Sequence, residues 1–234
     1  MTQEHEHSVL GGEMNLPVEL ELVNSRGSSG TERNRKSSES LSIEWEKQSK
    51  DLARRFAEKS GLSREEYIRT LPEFGRKPRT RKFNGELEIP AVPVIVETRF
   101  ALPDILDIVG IVSYFDPQEV KDWTEGAFQT SNKPYTAWLT YIPNTSVEEV
   151  RANLLKYERG GTALDGIALY FQHPQILNHF SLKFPGSQVG PDDAPFLSAL
   201  ANELENRPPH HPSLHYGSIE SKSPKFACLI ASRG

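Results

Sequence analysis

The sequence predicts an α+β domain: a mixed sheet of four to six strands with packed helices, preceded by a helical hairpin and a disordered N-terminal tail. Three observations carry that expectation. Residues Pro134–Gly190 hold the densest apolar, capped and glycine-punctuated stretch, with two β-capable runs, Tyr135–Ile142 and Gly166–Phe171, flanking a helix pattern at Val147–Tyr157. Residues 42–74 repeat apolar side chains at three- and four-residue spacing, the period of an amphipathic helix. Residues 1–40 offer almost nothing to bury, so ordering them would cost more conformational entropy than burial returns.

Taken in order, the tail (1–40) contains one β-capable run, Val18–Val23. The helical hairpin (42–74) begins with Ile43, Trp45, Leu52, Phe56 and Ala57 on one stripe, and Gly61 stops it. Ser63 followed by Glu66 forms a capping box that starts the second helix, which Pro72 and Gly75 end. About 30 residues cannot bury a core alone, so the pair must dock on the C-terminal part of the chain. A basic linker spans 75–85, and the α+β domain spans 86–231. Ala91–Phe100 reads as a β-branched strand whose Pro93 suggests an edge. Leu102–Val109 reads as a short helix, Ile111–Phe115 as a strand, and Asp116–Pro117 as the start of a helix running to Trp123.

Ser146 and Glu149 make a second capping box, and the helix they open is expected to run to Gly160–Gly161 with Val147, Val150, Leu154 and Tyr157 inward. Gly166–Phe171 is expected to be a central strand, Pro174–Asn178 a helical turn and Phe180–Phe184 a strand. Phe196–Glu205 fits a helix, with strand as the alternative for its first half. Residues 206–218 are Pro-rich and expected to be irregular. The run Phe226–Ala231 (FACLIA) is too apolar to leave in water and is expected to return as an edge strand, which leaves homodimerisation open.

Composition narrows the class of function. The net charge of −5 argues against a protein coated with nucleic acid. The single cysteine, Cys228, excludes an internal disulfide and a cysteine-based zinc site, and fits a reducing compartment. No signal-peptide pattern and no long apolar run occurs, so the expected location is the cytoplasm with no membrane span.

Several residues invite a chemical reading. Arg159 could clamp a carboxylate or phosphate, and Asp165 could act as a general base. His173 and His179, six positions apart, could complete an acid–base or two-histidine, one-carboxylate set with Asp165. The blander reading, an Arg159–Asp165 pair that fixes a loop, is preferred. Glu158–Thr162 resembles a phosphate loop only superficially, because its glycines are expected to stop a helix rather than start one. Arg76, Lys77, Arg79, Arg81 and Lys82 place five positive charges in seven residues and could neutralise phosphates. No aromatics for base stacking are interleaved with them. Terminal His5 and His7, and the tract His210, His211 and His215, are weak metal signals. Ser187 lies in a turn without a nucleophile elbow, and Cys228 is expected to be an inert buried thiol. Trp123, Phe128, Trp138 and Tyr141 could line a pocket, although aromatics at strand spacing more often form core.

The stretches ERGGTALDGIALYFQHPQIL and FPGSQVGPDDAPFL resemble an uncharacterised family of bacterial proteins, over roughly residues 134–197. The resemblance implies a bacterial origin and carries over no functional residue or cofactor. The absence of catalytic signatures, the disordered N-terminal tail and the separate helical hairpin make the expected function a non-enzymatic binding or interaction protein of the bacterial cytoplasm, with a protein or small molecule as partner. The alternatives are a small hydrolase or nuclease around Arg159, Asp165, His173 and His179, and nucleic-acid binding through Arg76–Lys82.

Overall fold

Strand order in the main sheet is β3-β6-β12-β8-β10-β11-β4, with β7 pairing to β12 beside that path. The strands are β3 (Val92–Val96), β4 (Val112–Ser113), β6 (Tyr135–Pro143), β7 (Glu158–Gly160), β8 (Ser181–Lys183), β10 (Asp193–Ser198), β11 (Ser213–Ser218) and β12 (Phe226–Ser232). Two small ribbons add β1 (Arg81–Phe83) with β2 (Leu87–Ile89), and β5 (Lys121–Asp122) with β9 (Ser187–Gln188). Among the described residues, five α-helices complete the fold: α1 (Gly30–Ser60), α2 (Arg64–Arg69), α3 (Leu102–Val109), α4 (Val147–Ala152) and α5 (Ala163–Gln172). This computed structural model describes residues 30–78, 81–83, 87–89, 91–123, 133–199 and 211–232. The expectations for the tail before residue 30, for His5 and His7, Phe128 and His210, and for residues 200–205 lie outside them.

The class is α+β with a mixed sheet, and the sheet has eight strands rather than four to six. Its pairs are antiparallel except β8–β12 and β4–β11. One face carries Leu182, Leu197, Leu214, Ala227 and Leu229 against α1, α2, α3 and α5. The other carries Ile142, Cys228 and Ile230 against Val147 and Val150 of α4. Residues 40–234 form one compact unit, so the helical pair shares the core of the sheet through Leu52, Phe56, Tyr67 and Leu71.

Several expectations are corrected. β12, expected at an edge, lies between β6 and β8, because Ala227 through Ala231 are buried on both faces and only a central strand satisfies that. Residues 213–218, expected to be irregular, form β11. The first half of 196–205 is strand, the end of β10. The helix at Val147 ends at Ala152, where the Asn153 side chain donates to Glu149 O at 2.8 Å. Tyr157, expected inward, is exposed. Gly166–Phe171 is helix, not strand: six apolar residues do not distinguish a buried strand from a buried helix, and the Thr162 cap decides it. The helix expected to run to Trp123 is a 3-10 turn at Pro117–Glu119, with the Asp116 cap in place. Part of the basic linker is paired, since Arg81–Phe83 is a strand.

The β3 edge is closed by side chains from two helices. Gln48 on α1 donates to Pro93 O at 2.9 Å and accepts from the Ile95 N–H at 3.1 Å. Gln172, the last residue of α5, donates to Ile95 O at 2.7 Å. These amides occupy the backbone groups that a foreign strand would need.

The turn that joins β8 to β9 approaches the end of β7 backbone to backbone. A Cβ at Gly160 would come within 2.4 Å of Gly186 N, and one at Gly186 within 2.2 Å of Gly160 O. No side-chain rearrangement can relieve contact with main chain. Gly160→Ala should therefore cost about 3 kcal/mol, at the upper end of overpacking penalties. Gly217→Ala, whose Cβ would stop 3.5 Å from the Phe196 ring, should be nearly neutral. Urea denaturation midpoints compare the two.

Candidate functional site

Asp165 is completely buried, and five hydrogen bonds converge on its carboxylate. Oδ1 accepts from the Tyr135 hydroxyl at 2.8 Å and from Arg159 Nη2 at 2.9 Å. Oδ2 accepts from Arg159 Nη1, from the Thr162 N–H at 2.7 Å and from Thr162 Oγ1 at 2.9 Å. Arg159 also donates to the Tyr135 hydroxyl at 3.0 Å and to Gly160 O at 3.1 Å. The arrangement stems from local structure: β7 presents Arg159, the Thr162–Asp165 capping box starts α5, and β6 supplies Tyr135. Burial pushes the Asp165 carboxyl up, but the Arg159 charge and the surrounding donors outweigh it and hold the group below its usual range. The Tyr135 hydroxyl is pushed above its usual range by burial and by the Asp165 charge.

The remaining two residues of the proposed catalytic set lie elsewhere. His173 is the C-cap of α5, eight residues beyond Asp165, which is about 12 Å along a helix axis. Its Nε2 is buried without a hydrogen bond among the described residues and lies 3.8 Å from Glu44 on α1. Burial lowers its pKa more than Glu44 raises it. His179 caps the 3-10 turn Pro174–Asn178 and is exposed. The structure thus joins Arg159 to Asp165 and separates that pair from His173 along the helix.

Gly160 and Gly161 do not stop a helix, as expected from the sequence; they end β7 and precede α5. The helix start is nevertheless filled from within. The Ala163 N–H donates to Ser187 Oγ at 3.0 Å, the Asp165 N–H to Thr162 Oγ1 at 3.3 Å, and the Gly166 N–H to Thr162 O at 3.0 Å.

Of the basic segment, Arg76 and Lys77 are exposed on a loop, Arg81 and Lys82 belong to β1, and Arg79 lies outside the described residues. Trp138 is core, its indole N–H donating to Gly75 O at 3.3 Å. Cys228 is fully buried, and burial pushes its thiol up to about 12. Among the described residues, no group of three or more His, Cys, Asp or Glu side chains could hold a metal, and no helix is long and apolar enough to cross a membrane.

Three features escaped sequence reasoning. A second buried triad joins Tyr67, Glu97 and Arg99, with the Arg99 guanidinium 4.4 Å from the Tyr67 ring centroid. Lys183 is buried in β8, its ammonium donating to Ser218 O at 3.1 Å and Ser221 O at 2.8 Å. The third lies at the β4–β11 edge. There Tyr114, the residue after β4, stacks on His215 of β11 at 4.5 Å, and His215 stacks near-parallel to Phe196 of β10 at 5.3 Å. Val112, Tyr114 and Tyr216 at this edge are 50%, 41% and 49% exposed. Alternation in Ile111–Phe115 hints at a strand, but nothing in the sequence marks which edge it joins.

Comparison with protein-family models, with curated proteins and with solved structures finds no match. The functional reading therefore rests on the geometry of the chain itself.

The buried groups make pH predictions. Asp165 has a folded-state pKa below its unfolded value of about 3.9. Its contribution is fully present above that pH and is lost as pH falls from there through the lower folded-state value. Asp165→Ala, which leaves Arg159 buried without its partner, should cost roughly 3–5 kcal/mol, whereas the double variant Arg159→Met/Asp165→Leu should cost less than either single change. Chemical denaturation at neutral and acidic pH tests both points. His173 is depressed below its unfolded value of about 6.5, so the unfolded chain binds its proton first and stability should fall from pH 7 to pH 5. His173→Gln should flatten that part of the stability curve.

Proposed function

We propose that this chain is a non-enzymatic interaction protein of the bacterial cytoplasm, and that it engages its partner at the β4–β11 edge of the sheet. The observation that carries the reading is the contrast between the two sheet edges. The β3 edge is sealed by Gln48 and Gln172. At the opposite edge lie three of the six exposed large apolar side chains among the described residues: Val112, Tyr114 and Tyr216. Single exposed apolar residues are ordinary, but three along one sheet edge, Tyr114 on the face of His215 and Tyr216 on the other, support a binding edge. The single cysteine fits the proposed compartment.

The saturation of Asp165 weighs in the same direction. A general base needs a lone pair directed at substrate, and here both carboxylate oxygens accept bonds from the protein. A hydrolase or nuclease built on Arg159, Asp165, His173 and His179 would also have to reach along the length of α5. The Arg–Asp pair reads better as the fastening of β7 to α5.

A photo-crosslinking amino acid at position 114 or 216, in cells of the native host, tests the proposal. A discrete cross-linked species should form from both positions and not from Glu65, which is exposed on α2. Equal products from all three positions, or none, would refute a docking role for this edge.

A further inference from the structure

The occupant of that edge can be narrowed by the direction of its backbone groups and by its lack of charge. In the parallel β4–β11 pair, the Val112 N–H donates to Pro212 O at 3.2 Å and the Tyr114 N–H to Leu214 O at 3.1 Å. Successive residues of a strand turn their main-chain polar groups to opposite sides. The N–H and C=O of Ser113 therefore point away from the sheet, between exposed Val112 and exposed Tyr114.

Neither Ile111–Phe115 nor Ser213–Ser218 contains an Asp, Glu, Lys or Arg, in a chain that is 25% charged and carries −5 overall. A nucleic acid, an acidic peptide or a basic peptide would find no complementary charge here. A copy of the same surface meets it without like-charge repulsion, which an acidic protein would otherwise impose. Of the usual guards of an exposed edge, β4 has its shortness, two residues, but neither an inward Lys nor a Pro.

Resting on the docking role proposed above for this edge, we infer that a second copy of this chain occupies it, by antiparallel pairing of β4 with β4 about a two-fold axis at Ser113. A two-fold there makes Ser113 face Ser113 of the second copy, and the two residues exchange both N–H···O bonds. Val112 then lies opposite Tyr114 of the second copy, so the apolar side chains exposed in one copy cover those of the other. The row of Phe196, His215 and Tyr114 then ends against Val112 of the second copy. So short a strand buries less than the roughly 1,200 Å² that marks the low end of stable interfaces. The association is accordingly weak and concentration-dependent.

Sedimentation velocity of the purified full chain, from micromolar to near-millimolar concentration, tests this. The average mass should rise from the 26.3 kDa of one chain towards twice that value, and salt should change it little because no charged pair is involved. Ser113→Pro removes an N–H that makes no bond among the described residues, and should weaken association about thirtyfold, the equivalent of two backbone hydrogen bonds. Ser113→Ala keeps the N–H and should behave as the unaltered protein. Tyr114→Lys, which places like charges across the axis, should remain monomeric and serves as arbiter if Ser113→Pro loses its far-ultraviolet circular dichroism. A constant monomer mass at every concentration overturns the inference, as does a Tyr114→Lys variant that associates normally. A constant monomer mass together with a heterologous cross-link from position 114 overturns the second copy while leaving the docking role of the edge standing.

Discussion

The buried ion pair between Arg159 and Asp165 is the constraint around which the centre of this fold is arranged. A carboxylate with no solvent contact is tolerated only when its charge is paired and its lone pairs are bonded. Here that requirement brings three elements together: β6 through Tyr135, β7 through Arg159, and α5 through Thr162 and Asp165 itself. The same residue thereby caps a helix, neutralises a guanidinium and orients a tyrosine. Each task constrains the others, because losing one donor would leave a charge unsatisfied in a dry interior. The close approach of Gly160 to Gly186 belongs to the same junction, where β7 lies hard against the turn after β8.

The helical side of the molecule repeats this solution. Tyr67, Glu97 and Arg99 form a second tyrosine–carboxylate–arginine group that fastens α2 to the end of β3. In both groups the guanidinium lies over the tyrosine ring, at 4.4 Å for Arg99 and 5.5 Å for Arg159. Burial pushes each carboxyl up, and the paired arginine and donated hydrogen bonds bring each below its usual range. Groups of this kind specify register and orientation more than they add net stability, since desolvation consumes much of the Coulombic gain. Structural ion-pair groups of this kind shift carboxyl pKa values by the same physics that reaction centres use.

The two edges of the sheet express opposite treatments of one hazard. Unpaired strand backbone invites another strand. At β3, two glutamines from α1 and α5 take those groups, so the helices close the sheet as well as covering its face. At β4 the exposed residues are apolar and uncharged, and a row of rings leads to them from the interior. That difference is the basis of the docking role proposed for the β4–β11 edge.

The α+β class, the Ser63 and Ser146 capping boxes, the Asp116 cap and the strands at Tyr135–Ile142 and Phe180–Phe184 were legible in the sequence, because each depends on neighbours within a few residues. The Arg159–Asp165 pairing was legible too, as two opposite charges flanking a glycine pair. Other features were decided by tertiary structure. Gly166–Phe171 is not one of them: its run is equally apolar as strand or helix, and the Thr162–Asp165 capping box, a signal within three residues, makes it α5. The centrality of β12 depends on which strands reach both of its edges, which no local pattern encodes. The distance from Asp165 to His173, the sealing of β3 by residues far away in the chain, and the gathering of Val112, Tyr114 and Tyr216 at one edge are likewise products of topology. Local periodicity and capping are properties of short segments; edges, sites and charge pairing between distant residues exist only once the segments have been packed.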